Sequence, residues 1–372
     1  MINHVYIDNF RSLVNFEWKP GPFTLLLGDN GAGKTSVFDV LEALRDFITS
    51  GTETITAFPA QTLTAWDTRL EQTFELGLQG NGGQYAYQLV IQHDQERKKN
   101  KIKHERLNQD SRTLYQYAEG RVHLFADDEP ELVQFPFDSS RSAISTVPER
   151  RQNAALSWFR RQIGHLYVFS PDPVQMTSEG PREIARPDRR LSQLASWLRD
   201  LSQERMTLMT ELLSSLREPI AGLKDFGLMK SGETARTLKF DFEFGHGEQK
   251  NSGTSFSLPL ETLSDGQRNL VALYTILHAA VEEDTTLCID EPDNYVALRE
   301  IQPWLIALKD KVEDKRSQCL MISHHPELIN YLAAEHSEWF YREEGGPTRV
   351  KRFEWNGEGM VSAAEIVARG WA

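Results

Sequence analysis

Gly28-Asp29-Asn30-Gly31-Ala32-Gly33-Lys34-Thr35 reads GDNGAGKT and fits the pattern G-x-x-x-x-G-K-[ST]. Before it runs PFTLLL, a short apolar stretch of strand length that ends at the glycines. After it, SVFDVLEALRDFI has helical periodicity, with Val37, Val40, Leu41, Leu44, Phe47 and Ile48 on one face. Strand, glycine loop and helix in that order form a phosphate cradle. The glycines let backbone N–H groups converge on an anion, and the helix start adds its positive end. Asn30, Gly31, Ala32, Gly33, Lys34, Thr35 and Ser36 are therefore expected to wrap the phosphates of a nucleotide. Lys34 should reach the β- and γ-phosphates, and the Thr35 hydroxyl should hold Mg²⁺.

Three further stretches bear on the same chemistry. Leu287-Cys288-Ile289-Asp290-Glu291 is a buried strand ending in two acids. Asp290 is placed to hold Mg²⁺ through its water shell, and Glu291 to orient or deprotonate an attacking water. Leu263-Ser264-Asp265-Gly266-Gln267 opens a helix; the Ser264 hydroxyl, the Gly266 N–H and the helix start all favour an anion. Ser323-His324-His325-Pro326 ends another buried strand, CLMIS, with two adjacent histidines at its end.

Buried strands alternating with helices in the last third predict parallel strands in a layered α/β core. Residues 71–125 read instead as an antiparallel meander. Residues 149–163 and 188–217 read as helices, the second some 30 residues long. TLKFDFEF and TSFSLPL read as strands around a polar GHGEQKNSG connection, and EWFYRE with TRVKRFEW as a final hairpin. Cys288 and Cys319 sit in apolar runs and read as reduced core residues, not a disulfide framework.

Taken together, NFRSL near residue 10, GDNGAGKT, LSDGQ, the IDEP strand and SHHPEL resemble the RecF/SMC/OLD-like branch of ABC-type ATPases. Gly28 and Ser264 lie 236 positions apart, more than transporter ATPases normally allow, so a transporter subunit ranks third. The combination looks most like ATPase subunits of bacterial anti-phage systems. The resemblance implies an ABC-type head with a mixed-sheet nucleotide lobe, residues 1–148 with 284–372, and an inserted helical lobe, 149–283, carrying the signature. It also implies ATP and Mg²⁺ as cofactors, and a homodimer in which Ser264 and Gly266 complete the partner's site. By that resemblance Glu291 and His324 are the catalytic pair, His324, with His325 as the alternative, contacting the γ-phosphate and a water; Thr35 and Asp290 are the metal-side residues, and Arg11 of NFRSL a nucleotide contact. Gln175 is the candidate for a Mg²⁺-sensing glutamine at the lobe boundary. The segment Asp293-Asn294-Tyr295-Val296-Ala297-Leu298 departs from the family's usual Leu-His-Pro or Leu-Asp pattern.

Composition bounds the remaining classes. The 372 residues carry 41 Lys plus Arg against 54 Asp plus Glu, a net charge of -13, which repels nucleic acid globally. DNA contact would need a local basic surface: residues 97–106, RKKNKIKHER, or the span Arg141–Arg199 with ten Arg and no Lys. No apolar run approaches the ~20 residues of a membrane span, and no secretory signal is visible, so a cytoplasmic protein is expected. No TOPRIM module or G-x-S-x-G elbow is apparent. Effector chemistry, such as a nuclease, is therefore expected in a separate partner protein. A RecF-like clamp or loader acting directly on double-stranded DNA is the alternative. Asp127-Asp128-Glu129 reads as a solvated turn.

Overall fold

A computed structural model describes residues 1–127, 131–244, 254–355 and 362–369. The GHGEQKNSG connection, Asp128 and Glu129 lie outside the described residues.

Two large sheets sandwich the helix that follows the glycine loop. One has six strands in the order Leu166–Phe169, Thr286–Asp290, Gln318–Ile322, Phe23–Gly28, Ser337–Arg342, Thr348–Arg352. The first five run parallel, and the last closes the expected hairpin antiparallel. Because side chains alternate along a strand, this sheet feeds two cores. Leu26, Cys288, Leu320 and Phe340 point into one core, and Leu25, Leu287, Cys319 and Trp339 into the other. The two cysteines are free and buried on opposite faces.

The second sheet is an eight-stranded antiparallel meander built from Phe16–Trp18, Ile2–Asp8 and the strands between Glu71 and Pro136. Its apolar face and the first sheet enclose helix Lys34–Ser50, whose six expected core residues are all buried. Within this sheet Glu105 is wholly buried and, among the described residues, has no cationic partner. Its carboxylate instead accepts hydrogen bonds from Tyr87 Oη at 2.8 Å, Ser142 Oγ at 2.6 Å and Tyr115 Oη at 2.8 Å. Glu105→Ala would strand three buried hydroxyls and is expected to cost roughly 3 kcal/mol in urea unfolding. A loss below about 1 kcal/mol would show that the network carries little weight. Burial raises this carboxyl above its ordinary 4.5, against the three donors that lower it. Its contribution to stability is therefore complete below that pH and declines as pH rises through the folded value.

The other core holds helices Leu194–Glu204, Met206–Leu216, Asp265–Ala279, Leu298–Asp314 and Pro326–His336. The single long helix expected over 188–217 is two. Arg205 breaks it at φ -141 and ψ 70, where its guanidinium turns to the Ala279 carbonyl and to Glu282. The chain before Leu194 is a turn fastened by Asp188, whose carboxylate accepts from the backbone N–H of Arg190, Ser192 and Gln193. The two strands expected from TLKFDFEF and TSFSLPL form as Ala235–Phe244 and Thr254–Pro259, and they join Glu179–Gly180 and Leu223–Ser231, which were not expected as strands, in a four-stranded antiparallel sheet. Leu166–Phe169, placed in the helical lobe by a boundary at 149, instead pairs in parallel with Thr286–Asp290. No described helix is long and apolar enough to cross a membrane.

Part of the Arg141–Arg199 span is committed internally, while Arg150, Arg151, Arg161 and Arg182 are exposed. Arg160 donates to the Val147 carbonyl at 2.6 Å, and Arg186 stacks on Tyr167 at 4.3 Å. Arg199 donates to the carbonyls of Gly180 and Thr234, both at 2.8 Å, and Arg141 pairs with Glu53.

Candidate nucleotide-binding site

Neighbouring parallel strands end on the same edge of the six-stranded sheet, so the loops that follow them meet there. Phe23–Gly28 delivers the glycine loop, Thr286–Asp290 delivers Glu291, and Gln318–Ile322 delivers His324. The residues converge on a cavity of about 160 Å³ lined by Ser12, residues 30–36, Glu291, Ile322 and His324. A larger cleft of about 740 Å³ around Glu211, His278 and Lys311 lies among other residues and contains none of this chemistry.

The glycine loop is braced from behind by the C-terminal hairpin. A Cβ on Gly28 would lie 2.0 Å from the Phe340 carbonyl oxygen, and one on Gly33 would lie 2.4 Å from Thr348 Oγ1. Gly33 also has φ 98, which L side chains rarely adopt. Buried Thr348 donates to Ser12 Oγ at 2.8 Å or the Ala32 carbonyl at 2.9 Å. Lys34 folds back onto the loop, donating to the carbonyls of Gly28 at 2.6 Å and Asp29 at 3.0 Å. Burial lowers its pKa, while the charges of Asp290, Asp29 and Glu291 oppose that shift.

Asp290 is buried, which raises its pKa; Arg189 lowers it, Glu291 raises it, and a hydrogen bond with Thr35 lowers it. Thr35 and Asp290 thus put a hydroxyl and a carboxylate together beside the loop. Hard oxygen donors of this kind fit Mg²⁺, which keeps most of its shell from water and phosphate. Among the described residues there is no cluster of three or more His, Cys, Asp or Glu that would form a protein cage instead.

Glu291 sits at φ 51, its N–H bonded to the Ile322 carbonyl at 2.8 Å. Its Oε2 accepts from Asn294 Nδ2 at 2.8 Å. His324 lines the cavity wall; partial desolvation of its ring and the charge of Lys34 lower its pKa, against Glu291, Asp293 and Asp29. His325 is occupied elsewhere, capping helix Pro326–His336 through Nδ1, which accepts from Glu327 N at 3.3 Å.

Arg11 does not line the cavity; Nη1 pairs with Asp39 Oδ2 at 2.5 Å and approaches Ser36 Oγ at 3.4 Å. Its left-handed turn, φ 50, is held by buried Asn9, whose side chain bonds the carbonyls of Arg69 and Glu71 and the N–H of Thr64. Gln175 does not reach Asp290: it is exposed and its amide donates to Asp172 Oδ2 at 2.7 Å. The lobe-boundary side chain that does reach the acidic strand is Arg189, whose Nη2 lies 3.2 Å from Asp290 Oδ2. Nothing in the sequence singles it out among ten arginines.

Ser264 and Gly266 lie apart from this cavity. Ser264 caps helix Asp265–Ala279 in a reciprocal box with Gln267, at 3.2 and 3.1 Å. A Cβ on Gly266 would come 2.7 Å from the Tyr295 carbonyl, so this glycine admits the loop after Glu291. Asn269 locks that packing, donating to the carbonyls of Pro292 at 3.0 Å and Asn294 at 2.7 Å.

Solved structures with the same fold include an SMC head bound to the C-winged helix domain of ScpA. It is 11% identical with a TM-score of 0.57, covering 96% of this chain and 98% of that one. A second, from Pyrococcus furiosus, is an SMC head with an extended coiled coil bound to the C-terminal domain of ScpA. It is 12% identical with a TM-score of 0.52, covering 94% and 95%. A search of curated proteins gives no match. The family described as "AAA domain, putative AbiEii toxin, Type IV TA system" matches residues 23–330. With its glycine loop, acidic strand and SMC-head fold, the chain belongs to that family of P-loop ATPases.

Proposed function

We propose that this chain binds and hydrolyses ATP with Mg²⁺, and that two copies close over two nucleotides to control a separate effector, a nuclease, in anti-phage defence. The observation that carries the reading is the division of the site. Lys34, Thr35, Glu291 and His324 share one cavity edge, while the anion-favouring start of the signature helix stands exposed outside it. A second copy supplying Ser264 and Gly266 would complete an enclosed γ-phosphate site. Thr35 and Asp290 would hold Mg²⁺, which neutralises phosphate charge. Lys34 binds the β- and γ-phosphates, Glu291 takes the proton of the attacking water, and His324 orients that water. Closure would use binding energy at the γ-phosphate, and hydrolysis would release it. The family's link to the AbiEii toxin supports a defence role, and the SMC heads bound to ScpA domains offer a precedent for a protein partner.

One observation favours a DNA-binding reading: Arg97, Lys98, Lys99, Lys101 and Lys103 are exposed along one hairpin, with Lys103 paired to Glu71. Steady-state ATP turnover with and without duplex DNA separates the two. Turnover indifferent to DNA is expected; stimulation by about tenfold or more would move the function to the clamp or loader class.

A further inference from the structure

Arg189 stands between three carboxylates from two elements. Its Nη1 lies 2.5 Å from Asp39 Oδ1 and 3.5 Å from Glu42 Oε2 on the P-loop helix, and its Nη2 contacts Asp290. Arg11 takes the other oxygen of Asp39. The guanidinium thus occupies an oxygen of the carboxylate expected to face the metal.

The backbone behind this side chain leads to the signature helix. The Arg189 carbonyl accepts from Ser170 N at 2.8 Å and the Arg190 carbonyl from Asp172 N at 3.1 Å. The next residue along, Pro173, offers its carbonyl to Arg268 Nη1 at 2.6 Å. Arg268 lies in the first turn of helix Asp265–Ala279 and also pairs with Asp265. A continuous set of polar contacts therefore runs from Asp290 through Arg189 and residues 170–173 to the start of the signature helix.

We infer that Arg189 is a positioning residue that reports whether Asp290 holds Mg²⁺ and passes that state to the signature helix. This rests on the reading of Asp290 as the metal-side carboxylate. Without metal, Arg189 neutralises Asp290 and clamps the lobe-boundary loop to the P-loop helix. When a dication takes the carboxylate, Arg189 loses that partner, keeps Asp39 and Glu42, and the loop that holds Arg268 is freed to shift. The contact also makes Arg189 a competitor for the metal.

Two readouts test this, neither of them turnover. In the full chain with a fluorescent AMP-PNP analogue, Arg189→Met is expected to lower the Mg²⁺ concentration for half-maximal binding by about tenfold, as loss of a charged hydrogen-bond partner implies. Arg189→Lys keeps the charge without the fork and is expected to lie between Arg189→Met and wild type. In the nucleotide-free chain with EDTA, amide exchange of a peptide spanning 264–272 is expected to rise in both Arg189→Met and Arg268→Met. Arg268→Met should shift the Mg²⁺ midpoint in the same direction as Arg189→Met but by less, because coupling between the two ends is reciprocal. An Arg189→Met midpoint within about twofold of wild type, or unchanged exchange at 264–272 in a variant that remains folded by circular dichroism, overturns the inference. Asp290→Asn separates the two layers. If it keeps the wild-type midpoint, the metal-side reading of Asp290 fails. If it loses Mg²⁺ dependence while Arg189→Met behaves as wild type, only the role of Arg189 fails.

Discussion

Lys34→Ala is expected to lower ATP affinity by at least about a hundredfold, measured by calorimetry or a fluorescent ATP analogue, with the fold intact. The magnitude follows from the number and kind of bonds lost. A lysine ammonium at this loop position donates to β- and γ-phosphate oxygens, and each charge-assisted bond is worth roughly 1.5–3 kcal/mol. The nucleotide-free geometry adds a reason for specificity. Lys34 already lies at the loop, bonded to two of its carbonyls, so binding exchanges those acceptors for phosphates without moving the chain. Asp290 and Glu291 nearby leave a net negative surface when the ammonium is removed, which opposes a polyphosphate directly. Affinity within about threefold of wild type would mean that the loop does not hold the phosphates. Circular dichroism checks the other cause of loss, since a buried side chain is being truncated.

What the sequence made legible, and what it hid, divides along a physical line. The glycine loop, the IDEP strand, the meander and the final hairpin each carry their signal locally, in periodicity, turn residues or spacing. Their placement follows from parallel strands sharing one edge. Arg189, Asn294, Asn269 and Thr348 carry no such signal. Each acts by reaching a group distant in sequence: Arg189 meets Asp39 and Asp290, and Thr348 meets Ser12. An arginine among ten, or an asparagine in a loop, reads the same whether it is solvated or load-sharing. The break at Arg205 was hidden for a similar reason. The leucine spacing continues through it, and the turn is set by Arg205 reaching Ala279 and Glu282. Gln175 was a misassignment of the same kind, because spacing along a loop does not fix which side chain faces the site. For Arg11, the motif located the residue, while buried Asn9 and the pairing with Asp39 determine where its guanidinium goes.

Glu291→Gln is expected to preserve ATP binding, lower turnover by about a hundredfold or more, and accumulate a dimer in saturating ATP and Mg²⁺. The substitution is close to isosteric. Glutamine can still accept from Asn294 through its carbonyl oxygen, so the left-handed turn at residue 291 should survive. It removes the negative charge and the basic site, the two properties needed to take a proton from water. It also removes a carboxylate that would repel the γ-phosphate of a closed complex, so the bound state gains as the chemical step fails. The position of Glu291 makes the dimer the informative readout. Asn294, which holds the carboxylate, offers its own carbonyl to Asn269 on the signature helix, and Gly266 packs on the carbonyl of the next residue, Tyr295. Glu291 and the start of helix Asp265–Ala279 are thus tied within one chain through a single short loop. In a two-site dimer, that loop would join the hydrolytic group of one site to the γ-phosphate contact of the other. The trapped dimer should therefore persist in Glu291→Gln and be weakened when Asn269→Ala is added, because the signature helix then loses its hold on the loop. Light scattering after gel filtration measures both. A Glu291→Gln chain that binds ATP tightly yet remains monomeric under saturating ATP and Mg²⁺ would exclude the two-site arrangement and leave a head that works alone.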